Sequence, residues 1–279
     1  IQHLQSNPYA IYARYVLGLY PLDPLEADID GRLRGTFLHK VLENFCRQWP
    51  DKLPDNVAGE LQNIAQIIAT EEASAGDILQ FWRPRFEALF EWLEKFEKER
   101  RNITQDATAN KNVTIYAEIK GELELDIAGK HFTLSAKADR IETYTDAENT
   151  KHISILDYKT ARPPTRADIR KHKAPQMPLE AAIAFAGGFK DIGQGQIERL
   201  EHVYLHGGYP AGAVEPIENP QQIMDEVLQG VTDLLATFAD PKTVYEPHIR
   251  PKLIEFANDY DHLARVAEWS SDIEEGEDK

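Results

Sequence analysis

A chain of 279 residues, 42% of them hydrophobic, can bury a substantial core and suits one large domain or one domain with a helical annex. Its net charge of −16 excludes a general polyanion binder, because phosphate contacts come from Lys and Arg, while leaving room for a local basic groove. A single cysteine, Cys46, excludes an internal disulfide and any all-cysteine zinc or iron–sulfur site, and it suits a reducing cytoplasm.

No apolar run approaches the ~18 residues that a membrane span needs, and the opening residues lack a signal peptide's charged head and unbroken apolar core. The chain begins at Ile1, as a fragment of something longer would. Its last eight residues, 272–279, carry five acids against one Lys and read as a solvated tail.

In chain order, residues 4–20 read as a helix with Ser6 or Asn7 as cap, Pro8 in the first turn and an end at Gly18. After an acidic linker, Gly31-Arg32-Leu33-Arg34-Gly35 leads into a helix from Thr36 to Trp49. Its buried stripe is Phe37, Leu38, Val41, Leu42, Phe45 and Trp49. His39 and Glu43, four residues apart, share a face beside that stripe. Residues 57–101 read as two helices broken near Ala75-Gly76-Asp77. The aromatic series Phe81, Trp82, Phe86, Phe90, Trp92 and Phe96 is expected in the core, and the charged run Glu97 to Arg101 on a solvated face.

The period then changes to alternation. Val113, Ile115, Ala117 and Ile119 share one face of a strand with Glu118 on the other. A Gly129-Lys130 turn leads to a second strand, Phe132 to Ile141, where Asp139 faces away from Phe132, Leu134, Ala136 and Ala138. The organising strand follows, Ile153-Ser154-Ile155-Leu156-Asp157-Tyr158-Lys159-Thr160-Ala161, ended by Pro163-Pro164. Alternation places Asp157 and Lys159 on one side, about 7 Å apart. Beyond it Arg162, Arg166, Arg170, Lys171 and Lys173 face a single acid, Asp168, a basic segment in an acidic chain. Helices from Gln176 to Phe185 and from Pro220 to Phe238, a strand from Glu198 to His206, and a charged, partly helical segment from Ile254 to Trp269 complete the series. The order implies an α/β fold with a mixed sheet flanked by helices.

Asp139 precedes Asp157 by 18 residues, enough to leave one strand, turn at Asp146 to Thr150 and pair with the next. Two bare carboxylates ~4 Å apart would repel by about 4 kcal/mol at an effective dielectric of 20. A divalent cation removes that cost. Oxygen ligands point to Mg²⁺ or Mn²⁺, and His39 makes Mn²⁺ acceptable.

Four ordered elements, Gly35-Thr36-Phe37-Leu38-His39-Lys40-Val41-Leu42-Glu43, Ala138-Asp139-Arg140-Ile141, Ile155-Leu156-Asp157-Tyr158-Lys159-Thr160-Ala161 and Pro175-Gln176-Met177-Pro178-Leu179, resemble the PD-(D/E)XK nucleases of the RecB type. The opening Asn7-Pro8-Tyr9 and the closing Asp259-Tyr260 to Trp269 are similar, more narrowly, to the carboxy-terminal nuclease domains of AddB-type subunits. The resemblance implies one nuclease domain over 1–271: a helical part over 1–112 with the His motif, a catalytic sheet over 113–206, a helical part over 207–271 and the tail over 272–279.

It also implies a Mg²⁺-dependent (or Mn²⁺-dependent) DNA exonuclease, acting on single-stranded DNA in double-strand-break repair with AddA and the rest of AddB. His39, Asp139, Asp157 and the Tyr158 carbonyl would hold the metal, and Lys159 would orient the attacking water. Glu43 and Glu118 are candidate outer-shell groups, each as readily solvated or salt-bridged. Gln176 would support the site, and Arg162, Arg166, Arg170, Lys171 and Lys173 would follow the DNA backbone. Many relatives hold a [4Fe–4S] cluster on cysteines that this chain lacks, so no iron–sulfur cluster is expected and packing around Tyr260 and Trp269 should lock the termini. Glu180 stands where the family often has Tyr. The alternative reading is a non-catalytic scaffold that keeps the nuclease fold to bind DNA.

Overall fold

The computed structural model describes residues 1–20, 29–104, 113–170, 173–247, Tyr260 and Leu263. Its elements run α1 (Gln2–Ser6), α2 (Pro8–Ile11), a π-helical turn (Tyr12–Val16), α3 (Ile29–Gln48), α4 (Val57–Glu71), α5 (Ala73–Thr104), β1 (Thr114–Ile127), β2 (Lys130–Thr145), β3 (Lys151–Lys159), α6 (Arg166–Arg170), α7 (Gln176–Phe185), β4 (Gln196–Leu205), β5 (Gly212–Pro216) and α8 (Pro220–Ala239). They fall into two compact units, residues 28–126 with 131–228, and residues 1–27 with 127–130 and 229–279.

The first unit is built on a five-stranded sheet in the order β1-β2-β3-β4-β5. β2 and β3 are antiparallel, β3 and β4 parallel, and β4 and β5 antiparallel. The sheet is mixed, as the sequence implies, and helices flank it. On one face α3, α4 and α5 gather Phe37, Leu38, Phe45, Leu61, Phe86, Phe90 and Leu93 against Leu156, Tyr158, Val203 and Leu205. α7 packs on β3 and β4, with every residue from Met177 to Ala184 buried. Gly212 has to be a glycine. A Cβ there would lie 2.7 Å from the Trp92 ring, inside contact distance.

The helices differ in detail from the sequence reading. α3 begins at Ile29, so Gly31 to Gly35 lie inside it, and the α4–α5 break falls at Glu72, several residues before Ala75-Gly76-Asp77. Phe81, expected in the core, is 81% exposed. β5 had no alternating run long enough to announce it. The run Glu97 to Arg101 is not a solvated face: Glu97, Arg100 and Arg101 are buried. At i, i+3 and i+4 they share one side of α5, and that side meets charges on the sheet which no local pattern could pair with them.

Those sheet charges are Arg140 and Glu142 on β2 and Glu201 on β4. Arg140 Nη2 lies 2.6 Å from Glu142 Oε1 and 3.2 Å from Glu97 Oε2, and Nη1 bonds Glu97 Oε1 as well. Arg100 holds Glu142 at 2.8 Å and Glu201 at 2.6 Å, while Arg101 holds Glu97 at 3.0 Å and donates to the Trp49 carbonyl at 2.9 Å. Three cations and three anions thus balance in the interior. Burial opposes ionisation of Glu142, but the Arg140 and Arg100 guanidinium groups outweigh it and bring its pKa down from 4.5 to about 2. The stability Glu142 contributes is therefore complete above its ordinary value and is lost as pH falls through about 2.

In the second unit Asn7 caps α2, its Oδ1 accepting from the Ala10 amide at 3.2 Å, with Pro8 at the first helical position. Of the two expected caps, Ser6 and Asn7, it is Asn7 that serves, with the short α1 lying before it. The chain leaves the π-turn through Gly18 at φ +68°. Tyr260 is buried with Ala10 and Ala13, and its hydroxyl donates to the Leu19 carbonyl at 2.8 Å. This is the lock expected around Tyr260. Apart from Tyr260 and Leu263, the segment from Ile254 to Trp269 lies outside the described residues, as does the acidic tail. Among the described residues no helix is long and apolar enough to cross a membrane.

Removing Arg140 would leave Glu97 and Glu142 buried without their shared partner. Arg140→Met is expected to cost roughly 3–5 kcal/mol by urea denaturation. A loss below about 1 kcal/mol, within the range of surface pairs, would contradict the weight given to this network.

Candidate active site

The β2–β3 ladder pairs Arg140 with Leu156, so the next step places Asp139 beside Asp157. In β3 the alternation puts Asp157 and Lys159 on the α7 side and Leu156 and Tyr158 on the side of α3 and α5. At Asp139 the ladder gives way to a side chain: Asp139 Oδ2 accepts the Tyr158 amide at 2.9 Å. The Tyr158 ring points to the opposite face, where its hydroxyl takes a bond from Arg140 Nη1 at 3.0 Å.

Asp157 is 2% exposed. Its Oδ1 accepts from Lys159 Nζ at 2.9 Å and Gln176 Nε2 at 3.1 Å, and its Oδ2 lies 3.0 Å from His202 Nδ1. Burial works against its charge, but the His202 hydrogen bond and the Lys159 ammonium prevail and hold its pKa below the ordinary value. With Asp157 ionised, His202 Nδ1 is the donor. His202 is brought there by parallel pairing, since it stands opposite Asp157 in the β3–β4 register.

α3 delivers His39. A Cβ on Gly35 would come within 3.1 Å of Thr160 Oγ1, so the small residue lets α3 run close to the end of β3. One turn on, His39 Nδ1 lies 3.5 Å from Asp139 Oδ1. Burial disfavours the His39 cation, yet Asp139, Glu118 and Asp157 together raise its pKa. Glu118 of β1, at φ 54°, completes a group with His39 and Asp139 whose ligand atoms lie within 4.8 Å of one another. Ligands at about 2.1 Å from one ion lie up to about 4.2 Å apart, so small side-chain rotations suffice for this nitrogen and oxygen set to hold Mg²⁺ or Mn²⁺. Glu118 is also paired with Lys137.

The structure thus brings together His39, Glu118, Asp139, Asp157, Lys159 and Gln176. Asp157 stands beside the group of three with both oxygens engaged by protein donors. Glu43, one turn after His39 on α3, is salt-bridged to Arg47 at 2.8 Å, and its charge reaches Lys137, the partner of Glu118. In the basic segment Arg162 and Lys173 are exposed, Arg166 and Arg170 sit on α6 with their side chains outside the described part, and Lys171 lies outside the described residues.

Two partners escaped the sequence reading. His202 is one; a histidine inside the strand Leu200-Glu201-His202-Val203 was its signal, but its partner depends on a parallel register. The second is Glu180, 2% exposed, whose position the sequence marked but whose partner it did not. Gln176 Nε2 donates to Glu180 Oε1 at 3.1 Å, while Gln176 Oε1 lies 3.4 Å from Lys159 Nζ. The amide is thereby oriented, its NH₂ toward two carboxyl groups and its oxygen toward the ammonium. Among the described residues Glu180 Oε2 is buried with no hydrogen-bond partner. Burial, reinforced by the Asp157 and Asp139 charges, pushes the Glu180 pKa up from 4.5 to about 8.

The family model of the PD-(D/E)XK nuclease superfamily matches residues 1–249, and this chain belongs to that superfamily. An uncharacterized protein of Rickettsia typhi, RT0391, is 28% identical over 262 residues, which are 91% of this chain and 29% of that protein. An uncharacterized protein of Rickettsia felis is 32% identical over 222 residues, 78% of this chain and 24% of that protein. The chain therefore spans about a quarter of the length of these relatives. A crystal structure of SSO0001 aligns with 74% of this chain and 88% of its own, at 16% identity and a TM-score of 0.27.

Because Glu180 is neutral in the fold and ionised when unfolded above pH 4.5, it leaves stability intact below 4.5 and erodes it as pH rises toward about 8. Glu180→Gln, which keeps shape and an acceptor oxygen, should gain stability over the parent in chelator-treated protein between about pH 5 and about pH 9, by a few kcal/mol in all. Urea denaturation across that range checks this. Parallel curves for the two proteins would contradict it.

Proposed function

We propose that this chain is the nuclease module of an AddAB-type helicase–nuclease, a Mg²⁺-dependent exonuclease that hydrolyses phosphodiester bonds of single-stranded DNA during double-strand-break repair in the cytoplasm. AddA and the remainder of AddB are its proposed partners. The observation that carries the reading is the row at one end of the sheet: Asp139 beside Asp157, Lys159 bonded to Asp157, and His39 with Glu118 closing on Asp139. Membership of a nuclease superfamily supports nuclease chemistry. The narrower assignment draws on the resemblance of the opening and closing segments, on Tyr260 tying them together, and on relatives several times longer than this chain.

A bound divalent cation would polarise a phosphoryl oxygen and acidify a water ligand. Asp139, Asp157, His39 and the Tyr158 carbonyl are the proposed ligands, with Glu118 added by its position. Lys159 presents an ammonium held between Asp157 Oδ1 and Gln176 Oε1, so its charge is in place before negative charge develops on the phosphorane oxygens. His202 and Gln176 fix the Asp157 carboxylate from two directions. Glu180 fixes Gln176 in turn.

End-labelled single-stranded DNA incubated with Mg²⁺, Mn²⁺ or EDTA tests the reading. Metal-dependent shortening is expected, lost in Asp157→Ala and reduced about 10²-fold or more in Lys159→Ala. Full activity in Asp157→Ala would refute the site. Absence of cleavage by the parent chain, alone and together with AddA and the rest of AddB, would favour the non-catalytic scaffold.

A further inference from the structure

Phe81 sits on α5 with its ring 6.3 Å from that of Trp82, and at 81% exposure it is a large apolar side chain with no core to fill. Trp82 carries two guanidinium groups: Arg34 of α3 lies 4.4 Å and Arg85 of α5 4.3 Å from its ring centroid. Among the described residues neither arginine pairs with a carboxylate. Their neighbours on the same helices do: Lys40 with Glu72, Arg47 with Glu43, Arg83 with Glu87 and Lys98 with Glu94. Asp77, one turn before Phe81, borders the same hollow with Ile78 and Gln80.

The position of this patch is defined by two glycines. Gly35, next to Arg34, faces Thr160, and Gly207, just past β4, has Arg85 Cβ 3.2 Å from where its own Cβ would stand. β3 and β4 run parallel with Lys159 opposite Tyr204, so Thr160 and Gly207 mark the same end of the sheet. That end carries Lys159.

We propose that Phe81, Trp82, Arg34 and Arg85 form a platform that holds single-stranded nucleic acid on its way to the sheet end bearing Lys159, a proposal that takes its substrate class from the nuclease reading. An exposed ring stacks on the face of an unpaired base, and guanidinium groups with no carboxylate partner among the described residues take the flanking phosphates. A duplex keeps its base faces inside the stack, so Phe81 has nothing to offer it. Rings and cations together offer partners for both the bases and the phosphates of one strand. It also accounts for local affinity in a chain whose net charge of −16 opposes polyanions in general.

The test is fluorescence anisotropy of a labelled oligothymidylate and of a blunt duplex of equal length, at low salt, with EDTA present. EDTA keeps the assay independent of cleavage, so the platform is scored whether or not the chain is an active nuclease. Phe81 and Arg85 are exposed, and their replacement leaves the core untouched. Phe81→Ala and Arg85→Ala should each weaken single-strand binding about 5-fold or more. Arg85→Ala should also lower the salt slope by about 0.7, and Phe81→Ala should leave duplex binding unchanged. Unchanged single-strand affinity in both variants, or an equal loss on the duplex, would overturn the proposal; the first result would assign the patch to a protein surface instead.

Discussion

Asp139 and Arg140 are consecutive, and in a strand one step along the chain is a change of face. The antiparallel register that pairs Arg140 with Leu156 therefore decides two things together. It sends Arg140 into the interior between Glu97, Glu142 and the Tyr158 hydroxyl, and it turns Asp139 toward His39 and Glu118. A slip of one residue would exchange these fates. Asp139 would enter the core without a partner, and Glu97 would lose the Arg140 guanidinium that pairs with it. The candidate catalytic geometry is thus held from behind by a buried ion network.

The same logic runs through β3. Asp157 and Tyr158 are neighbours with opposite destinations, one clamped by Lys159, Gln176 and His202, the other bonded to Arg140. The Tyr158 amide, turned to the Asp139 carboxylate, links the two acids through the backbone. Charge is distributed unequally around them. Asp157 is stabilised as an anion, whereas Glu180, only one hydrogen-bonded residue away, is pushed toward neutrality by burial and by those same anions. A buried carboxyl group can orient Gln176 without adding a further negative charge where a phosphate would have to approach.

What could be read from the residues divides along local and non-local lines. Asp139, Asp157, Lys159 and the helical position of His39 were legible because strand alternation and motif order are local. The span of α7 was legible because an apolar segment opened by Pro178 in its first turn has few alternatives. The burial of Glu97, Arg100 and Arg101 was not, since charges on a helix look solvated until their partners on β2 and β4 are known. His202 was hidden for the same reason, its partner being set by parallel pairing across the intervening helices. Phe81 was misplaced because an aromatic residue beside Trp82 in a helical series reads as core, and only the three-dimensional packing shows the ring left outside.

In the proposed function, the face of the sheet opposite the buried network gathers His39 and the strand acids around one divalent ion. Pulsed electron paramagnetic resonance of the chain loaded with one equivalent of Mn²⁺ tests it most directly, because a coordinating imidazole imprints ¹⁴N modulation on the electron spin echo. Modulation from one histidine that disappears in His39→Ala while Mn²⁺ stays bound through the carboxylates is the expected result. Modulation that persists in His39→Ala, or a spectrum of hydrated Mn²⁺ alone in the parent chain, would contradict it.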